Sequence, residues 1–355
     1  MDDYLIDDET ISLHRRSLLP GGGFFVPDSI EETKSEQRAR EALAGADRIV
    51  IADPDADGLG CVALARIAFG TAPLLPAGPH EIADAFEYVL EYGDPGIDVF
   101  VCDLCPDSAA DIESLPAVAE LAGQVRWFDH HQWDESLAEA VSEHAELVVG
   151  DSERVCTADV AREELGHEFE DRHVELATVT RDHDLWIRDD PRSDDLADYA
   201  HWVEPEEYIE TVLEHGPDLP EAVEEFLEER RIEKDALVEK AVERADYREI
   251  NGWTVGVTYG RCSQNEVAEA MRSEGADASV IVKPAGSASI RGTDAFQRCH
   301  EVARQVNGGG HPKAAGCKPD IYDDMLDYAH HWTTRGAVTK RVILAAFGAL
   351  DRPAE

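Results

Sequence analysis

A recurring pair constrains this chain more than any other feature: a short, mostly apolar run that stops at an aspartate, then a helical stretch. Runs at residues 48–52, 97–102 and 125–128 stop at Asp53, Asp103 and Asp129, and a fourth run covers 146–149. Helical spacing follows at 61–69, 108–121 and 158–165. Strands apolar on both faces need cover on both faces, so the alternation predicts an α/β fold built on a parallel sheet. Such sheets place ligands beyond the carboxyl ends of their strands, where these aspartates stand.

The rest of the chain divides by pattern. Residues 1–34 read as an irregular arm with a turn at Pro20-Gly21, and 35–44 as a helix capped by Ser35. A helix at about 172–180 precedes Asp182. Residues 204–248, rich in Glu and Arg, read as connecting helices. The pattern then restarts with a strand at 253–258, a helix at 265–273, strands at 278–282 and 287–290, and a helix at 295–306. A glycine turn at 308–310 and a helical stretch at 322–350 complete it. The expected organisation is an arm (1–34), a parallel-sheet catalytic domain (35–200), a helical connector (201–250), a smaller α/β substrate domain (251–320) and a helical extension (321–355). No internal repeat is visible.

Charge is the compositional anomaly. Asp and Glu total 76 against 32 Lys and Arg, a formal net charge of −44, and only seven residues are lysine. The excess is spread along the chain, a pattern that resembles proteins of extreme halophiles. In molar salt the screening length is about 3 Å, so this charge does not exclude a nucleic-acid partner. A 43% hydrophobic content excludes global disorder. Seven dispersed cysteines fit a reducing interior, and no apolar run approaches a membrane span of roughly 20 residues. Arg15-Arg16 do not make an export signal, because Pro20 and Gly21 to Gly23 cut the apolar stretch behind them. A cytoplasmic protein without a membrane segment is expected.

Five motifs can carry chemistry. In Asp53-Pro54-Asp55-Ala56-Asp57-Gly58, alternate carboxylates on a turn can converge on hard divalent cations. Three alternating aspartates arise by chance about 0.4 times in so acidic a chain, and the glycine and strand-end placement lower this to a few per cent. Asp103 reads equally as a cap or turn residue before Pro106. Its flanking Cys102 and Cys105 lack the second pair that zinc requires. Asp129-His130-His131 combines carboxylate and imidazole, which suits a borderline ion such as manganese. Asp182, in Thr180-Arg181-Asp182-His183-Asp184, reads equally as a solvated helix end. Gly308-Gly309-Gly310-His311-Pro312-Lys313 is the sharpest signal, expected by chance about 0.005 times. Its glycines let backbone N–H groups approach a phosphate, with His311 and Lys313 adding charge, and Arg291 at a strand end can clamp one.

In this order the motifs resemble the DHH phosphoesterase superfamily, in the RecJ-like and nano-RNase-like branch whose DHH-associated C-terminal domain ends in GGGH. The resemblance covers about residues 45–320. It implies two Mn²⁺ ions, replaceable by Mg²⁺ or Co²⁺, and a metal-activated water that attacks phosphorus. Carried over by residue, Asp55 and Asp57 are ligands of the first motif, Asp103 bridges the ions, and His130 and Asp182 complete the set. Asp129 and His131 lie behind the ligands or near the leaving group, and Gly308 to His311 with Arg291 grip the substrate. Nano-RNase-like members and family II pyrophosphatases carry a histidine ahead of the first aspartates, where this chain has Ile51. The motif thus looks like the RecJ version, with Asp53 as an extra ligand, although bacterial RecJ nucleases are longer and carry an OB domain not found here. Pyrophosphatases differ in the C-terminal domain.

The acidic composition suggests a haloarchaeal source, and the resemblance implies an Mn²⁺-dependent phosphodiesterase or exonuclease. Its substrates would be single-stranded RNA or DNA, short oligonucleotides or dinucleotides, cleaved to nucleoside monophosphates. Two alternatives stand beside it: a hydrolase of cyclic dinucleotides or 3′,5′-bisphosphonucleosides, and a non-catalytic subunit of a replication or RNA-processing complex. A homodimer or assembly with such proteins is compatible with either.

Overall fold

The structure, a computed structural model, describes residues 28–260, 262–283, 287–319 and 337–350. Its two compact units divide between Leu227 and Glu228.

The first unit is built on β1 (Arg48–Ala52), β2 (Leu74–Pro76), β3 (Asp98–Cys102), β4 (Gln124–Asp129) and β5 (Glu146–Val149), all parallel in the order β2-β1-β3-β4-β5. Successive strand residues feed two cores. Val50, Ala52, Phe100, Cys102 and Phe128 face one, while Ile49, Ile51, Val99, Val101, Val125 and Trp127 face the other. That period of two is why the runs are apolar without interruption. Helices α2 (Ala56–Phe69), α6 (Thr157–Glu164), α7 (Asp171–Asp184), α8 (Pro191–Trp202) and α9 (Pro205–His215) cover the first face. Helices α1 (Asp28–Leu43), α3 (Ile82–Tyr92), α4 (Leu115–Leu121) and α5 (Glu135–Ser142) cover the second.

The chain leaves β1 toward β2 on one side and returns to β3 on the other. The connections after β1 and β3 therefore diverge, opening a crevice at the carboxyl edge. Gly58 is needed at the tight β1–α2 turn, since a Cβ there would stand 2.1 Å from the Asp53 carbonyl oxygen.

Several local expectations are corrected. Ser35 lies inside α1 and caps nothing, and residues 1–27 of the expected arm lie outside the described residues. The stretch 108–121 breaks into a 3₁₀ turn (Ala109–Ile112) and α4, with Pro116 in the first turn of α4, where a proline's missing N–H costs nothing. Helix α7 continues to Asp184. Strand β2 and helix α3 add to the elements expected, α3 with Ile82, Ala85, Phe86 and Val89 at helical spacing.

The second unit has a six-stranded sheet in the order β10-β11-β9-β8-β7-β6, from β6 (Asp246–Ile250), β7 (Trp253–Tyr259), β8 (Ala278–Val282), β9 (Ala288–Gly292), β10 (Gly308–Gly310) and β11 (Ala314–Cys317). Only the β7–β8 pair is parallel. Helix α10 (Glu221–Glu243) spans the division between the units, and the segment expected to remain helical to 248 turns into β6. Helix α11 (Gln264–Ser273) and the short α12 (Cys299–Arg304) pack on this sheet. Of the stretch 322–350, the described part holds α13 (Ala337–Gly348). Among the described residues, no helix is long and apolar enough to cross a membrane.

Candidate metal centre

Four strand and helix ends bring the first unit's acidic and imidazole groups together. Asp55 caps α2, its Oδ1 accepting the Asp57 and Gly58 N–H groups at 2.9 and 3.1 Å. That cap turns Asp57 inward, where its buried carboxylate accepts the N–H groups of Thr157 and Ala158 at 2.7 and 2.8 Å. The N-terminus of α6 thus holds Asp57 by backbone donors from 100 residues away.

Asp103 follows β3 with φ 59°, a left-handed backbone that aspartate tolerates better than most residues. It is buried and accepts the Thr157 hydroxyl at 2.9 Å. Its Oδ1 stands 3.8 Å from both His130 Nε2 and His131 Nδ1. Asp129 ends β4 fully buried, accepting His131 Nδ1 at 2.7 Å and Trp133 Nε1 at 2.6 Å. Asp184, the last residue of α7, puts Oδ2 at 3.3 Å from His130 Nε2.

Two sets of ligand atoms each lie within 4.8 Å of one another: Asp103, His130 and His131, and Asp57, His130 and Asp184. His130 belongs to both. Asp53 and Asp55 are in neither.

The electrostatics divide the histidines. Burial lowers His130, opposed by the Asp57 charge and reinforced by His131, so its imidazole is held neutral and able to ligate. Burial works against His131 too, but the charge and hydrogen bond of Asp129 overcome it and lift its pKa to about 9. Asp129 is held below its ordinary value: burial would raise it, yet His131 and the Trp133 N–H prevail. Asp103 is pushed well up by burial and then by the charges of Asp57, Asp55, Asp184 and Asp129. Asp184 is pushed well up by burial and then by Asp57 and Asp55. Asp55 is raised by the protein crowding it and by Asp57, although its own surface stays open.

Carboxylates that raise one another in this way are relieved by a cation between them. Two buried atoms in the cluster, Asp184 Oδ2 and His130 Nδ1, have no hydrogen-bond partner. Oxygen donors with one neutral imidazole suit a hard or borderline divalent ion.

Asp182 stands outside the two ligand sets. Its buried carboxylate is occupied by the N–H groups of Asp189 and Asp190 at 3.0 and 3.1 Å and by the Ser193 hydroxyl at 2.8 Å, and Asp184 stands in the cluster instead. On a helix, residues two apart point about 200° away from each other, so both cannot face one site. Asp184 was legible in the same His183-flanked pair of aspartates. Thr157 and Trp133 carry no comparable sequence signal.

In the second unit the glycine stretch is a strand rather than a turn. Gly308 to Gly310 pair with Cys317 to Ala315, and a Cβ on Gly308 would stand 2.0 Å from the Gly316 carbonyl oxygen. The turn is at His311 to Lys313. His311 donates its N–H to the Ala314 carbonyl at 2.6 Å, Lys313 pairs with Asp294, and Arg291 Nε donates to Asn265 Oδ1 at 2.8 Å.

No family model and no curated protein matches this sequence. Solved structures do. The DHH domain of a protein described as a member of a ribosomal-protein family is 14% identical, covers 96% of both chains and gives a TM-score of 0.56. Exonuclease RecJ bound to manganese is 17% identical over 90% of this chain and 95% of its own, at 0.54. A pGpG-specific phosphodiesterase, PggH from Vibrio cholerae, is 14% identical over 84% of this chain and 98% of its own, at 0.51. This chain has the DHH fold. At these identities the likeness is one of fold, and the D-x-D, D and D-H-H motifs of this chain follow the carboxyl ends of β1, β3 and β4.

Proposed function

We propose that this chain is a divalent-cation-dependent phosphoesterase of the DHH superfamily, cleaving phosphodiester bonds in short oligonucleotides or single-stranded nucleic acid with Mn²⁺ as its preferred ion. The convergence of Asp57, Asp103, His130 and Asp184 at the sheet's carboxyl edge carries this reading. Bound there, two cations would supply an activated water and neutralise charge on the phosphoryl oxygens.

The chain's own groups do the rest. Asp57 and Asp184 flank His130, the one residue common to both sets, and Asp103, facing both histidines, would hold an ion beside them and, as the resemblance implies, be shared between two. Asp53 and Asp55 shape the β1 turn. Asp129 orients His131, whose imidazole is suited to pass a proton to the departing oxygen. His311, Arg291, Lys313 and the glycine strand are assigned to gripping a second phosphate of the substrate.

The fold shared with a pGpG-specific phosphodiesterase favours a second reading, hydrolysis of a dinucleotide or similar small nucleotide. One experiment separates them: the pure protein, Mn²⁺ and end-labelled RNA and DNA of graded length in molar KCl. Laddered monophosphate release from long strands supports the exonuclease, and cleavage confined to dinucleotides supports the second reading. No hydrolysis of either would leave a non-catalytic subunit.

A further inference from the structure

We infer that Asp182 is a positioning residue, a brace that closes the end of α7 and thereby aims Asp184 at the cations. This rests on the metal-site reading above and adds a division of labour within Asp182-His183-Asp184.

The brace begins in the backbone. Helix α7 ends in a Schellman-type closure, with Ile187 N–H donating to the Asp182 carbonyl at 2.8 Å and Trp186 N–H to the His183 carbonyl at 2.8 Å. Glycine usually occupies the left-handed position of such a closure. Here Trp186 holds it at φ 55°, and Arg188 takes a second left-handed conformation at φ 60°. Bulky residues hold such backbone only where the surroundings over-determine it.

Asp182 supplies that constraint. Besides Ile187, its carbonyl accepts the Arg188 N–H at 3.2 Å. Its carboxylate gathers the Asp189 and Asp190 N–H groups and the hydroxyl of Ser193, itself buried at the start of α8. One residue thus receives five hydrogen bonds from a segment of seven, 187–193.

The consequence falls on Asp184. It ends α7, between Asp182 and the closure, and its Oδ2 is the buried atom left without a hydrogen-bond partner beside His130. Asp182 therefore spends its oxygens on the chain and Asp184 keeps one for the ion.

The test is Mn²⁺ titration of the full chain by calorimetry, with electron paramagnetic resonance for stoichiometry, on Asp182→Asn, Asp184→Asn and Asp103→Asn. Asp182→Asn should keep the wild-type number of ions and bind them about ten- to a hundred-fold more weakly, as loss of a ligand-orienting partner does. Its turnover should recover at saturating Mn²⁺. Asp184→Asn should lose an ion, and excess Mn²⁺ should not rescue it. If Asp182→Asn does not fold, Ser193→Ala removes one donor to the brace and should lower Mn²⁺ affinity several-fold at unchanged stoichiometry.

Loss of an ion in Asp182→Asn with both retained in Asp184→Asn would make Asp182 the ligand and overturn the brace while leaving the metal site standing. Unchanged Mn²⁺ affinity in Asp182→Asn, or in Ser193→Ala where that variant carries the test, would overturn it as well. Full stoichiometry and affinity in both Asp184→Asn and Asp103→Asn would remove the metal site itself, and the brace with it.

Discussion

The acidic cluster of the first unit and the glycine strand of the second solve opposite problems. In the cluster, like charges are gathered together, Asp103 and Asp184 are pushed well above the ordinary carboxylate range, and Asp184 Oδ2 has no hydrogen-bond partner. In the glycine strand, backbone pairs with backbone along β11, Lys313 is tied to Asp294 and Arg291 to Asn265. The first region is electrostatically incomplete without a cation, and in the second the backbone is paired while Arg291 donates to the neutral oxygens of Asn265, Ile290 and Ala315. On the function proposed above, reactivity belongs to the cluster and substrate grip to the strand and its neighbours.

The strongest way to break this contrast is to remove the carboxylate that faces both histidines. Asp103→Ala should abolish turnover while the fold survives, because deleting one of several mutually repelling carboxylates relieves repulsion. Near-wild-type hydrolysis by that variant, with unchanged circular dichroism, would take reactivity away from the cluster. Gly308→Ala tests the other side: a Cβ driven against the Gly316 carbonyl should destabilise the second unit by several kcal/mol, of the order of severe overpacking. Chemical denaturation should show that loss, with Mn²⁺ binding by the first unit unaffected.

Two smaller effects sharpen the comparison. His311→Ala and Arg291→Ala should keep Mn²⁺ stoichiometry and lose about ten- to a hundred-fold in hydrolysis of substrates carrying a second phosphate, the worth of one charged hydrogen bond. A generic diester should lose much less, and equal losses on both would move His311 into the chemistry. Last, the net charge of −44 should make stability salt-dependent. As KCl falls from molar to 0.01 M the screening length grows from about 3 to about 30 Å, and the melting temperature should drop by several degrees. A flat melting temperature across that range would remove the high-salt reading of the surface.

Much of the first unit was legible in the sequence because its strands are buried on both faces, leaving runs that end abruptly at aspartates. The strands β1, β3 and β4 and the placement of Asp57, Asp103 and His130 at their ends follow from that alone. Strand β2, only three residues long, does not announce itself, whereas α3 is legible in Ile82, Ala85, Phe86 and Val89, which repeat at helical spacing over 11 residues. In the second unit, Gly308 to Gly310 spell a turn to any local reading. They pair as a strand because β11 approaches too closely for side chains, a distance no local pattern encodes.

The sequence by itself determined the parallel α/β architecture and the edge of the sheet where the acidic residues gather, because burial on two faces and the period of a strand are written residue by residue. Only the tertiary structure decided which aspartate of the pair at the end of α7 faces His130. Helix rotation sends Asp182 and Asp184 to opposite sides. The choice between them rests on Ser193 and on the N–H groups of Asp189 and Asp190, which become partners of Asp182 only after the chain has folded back on itself.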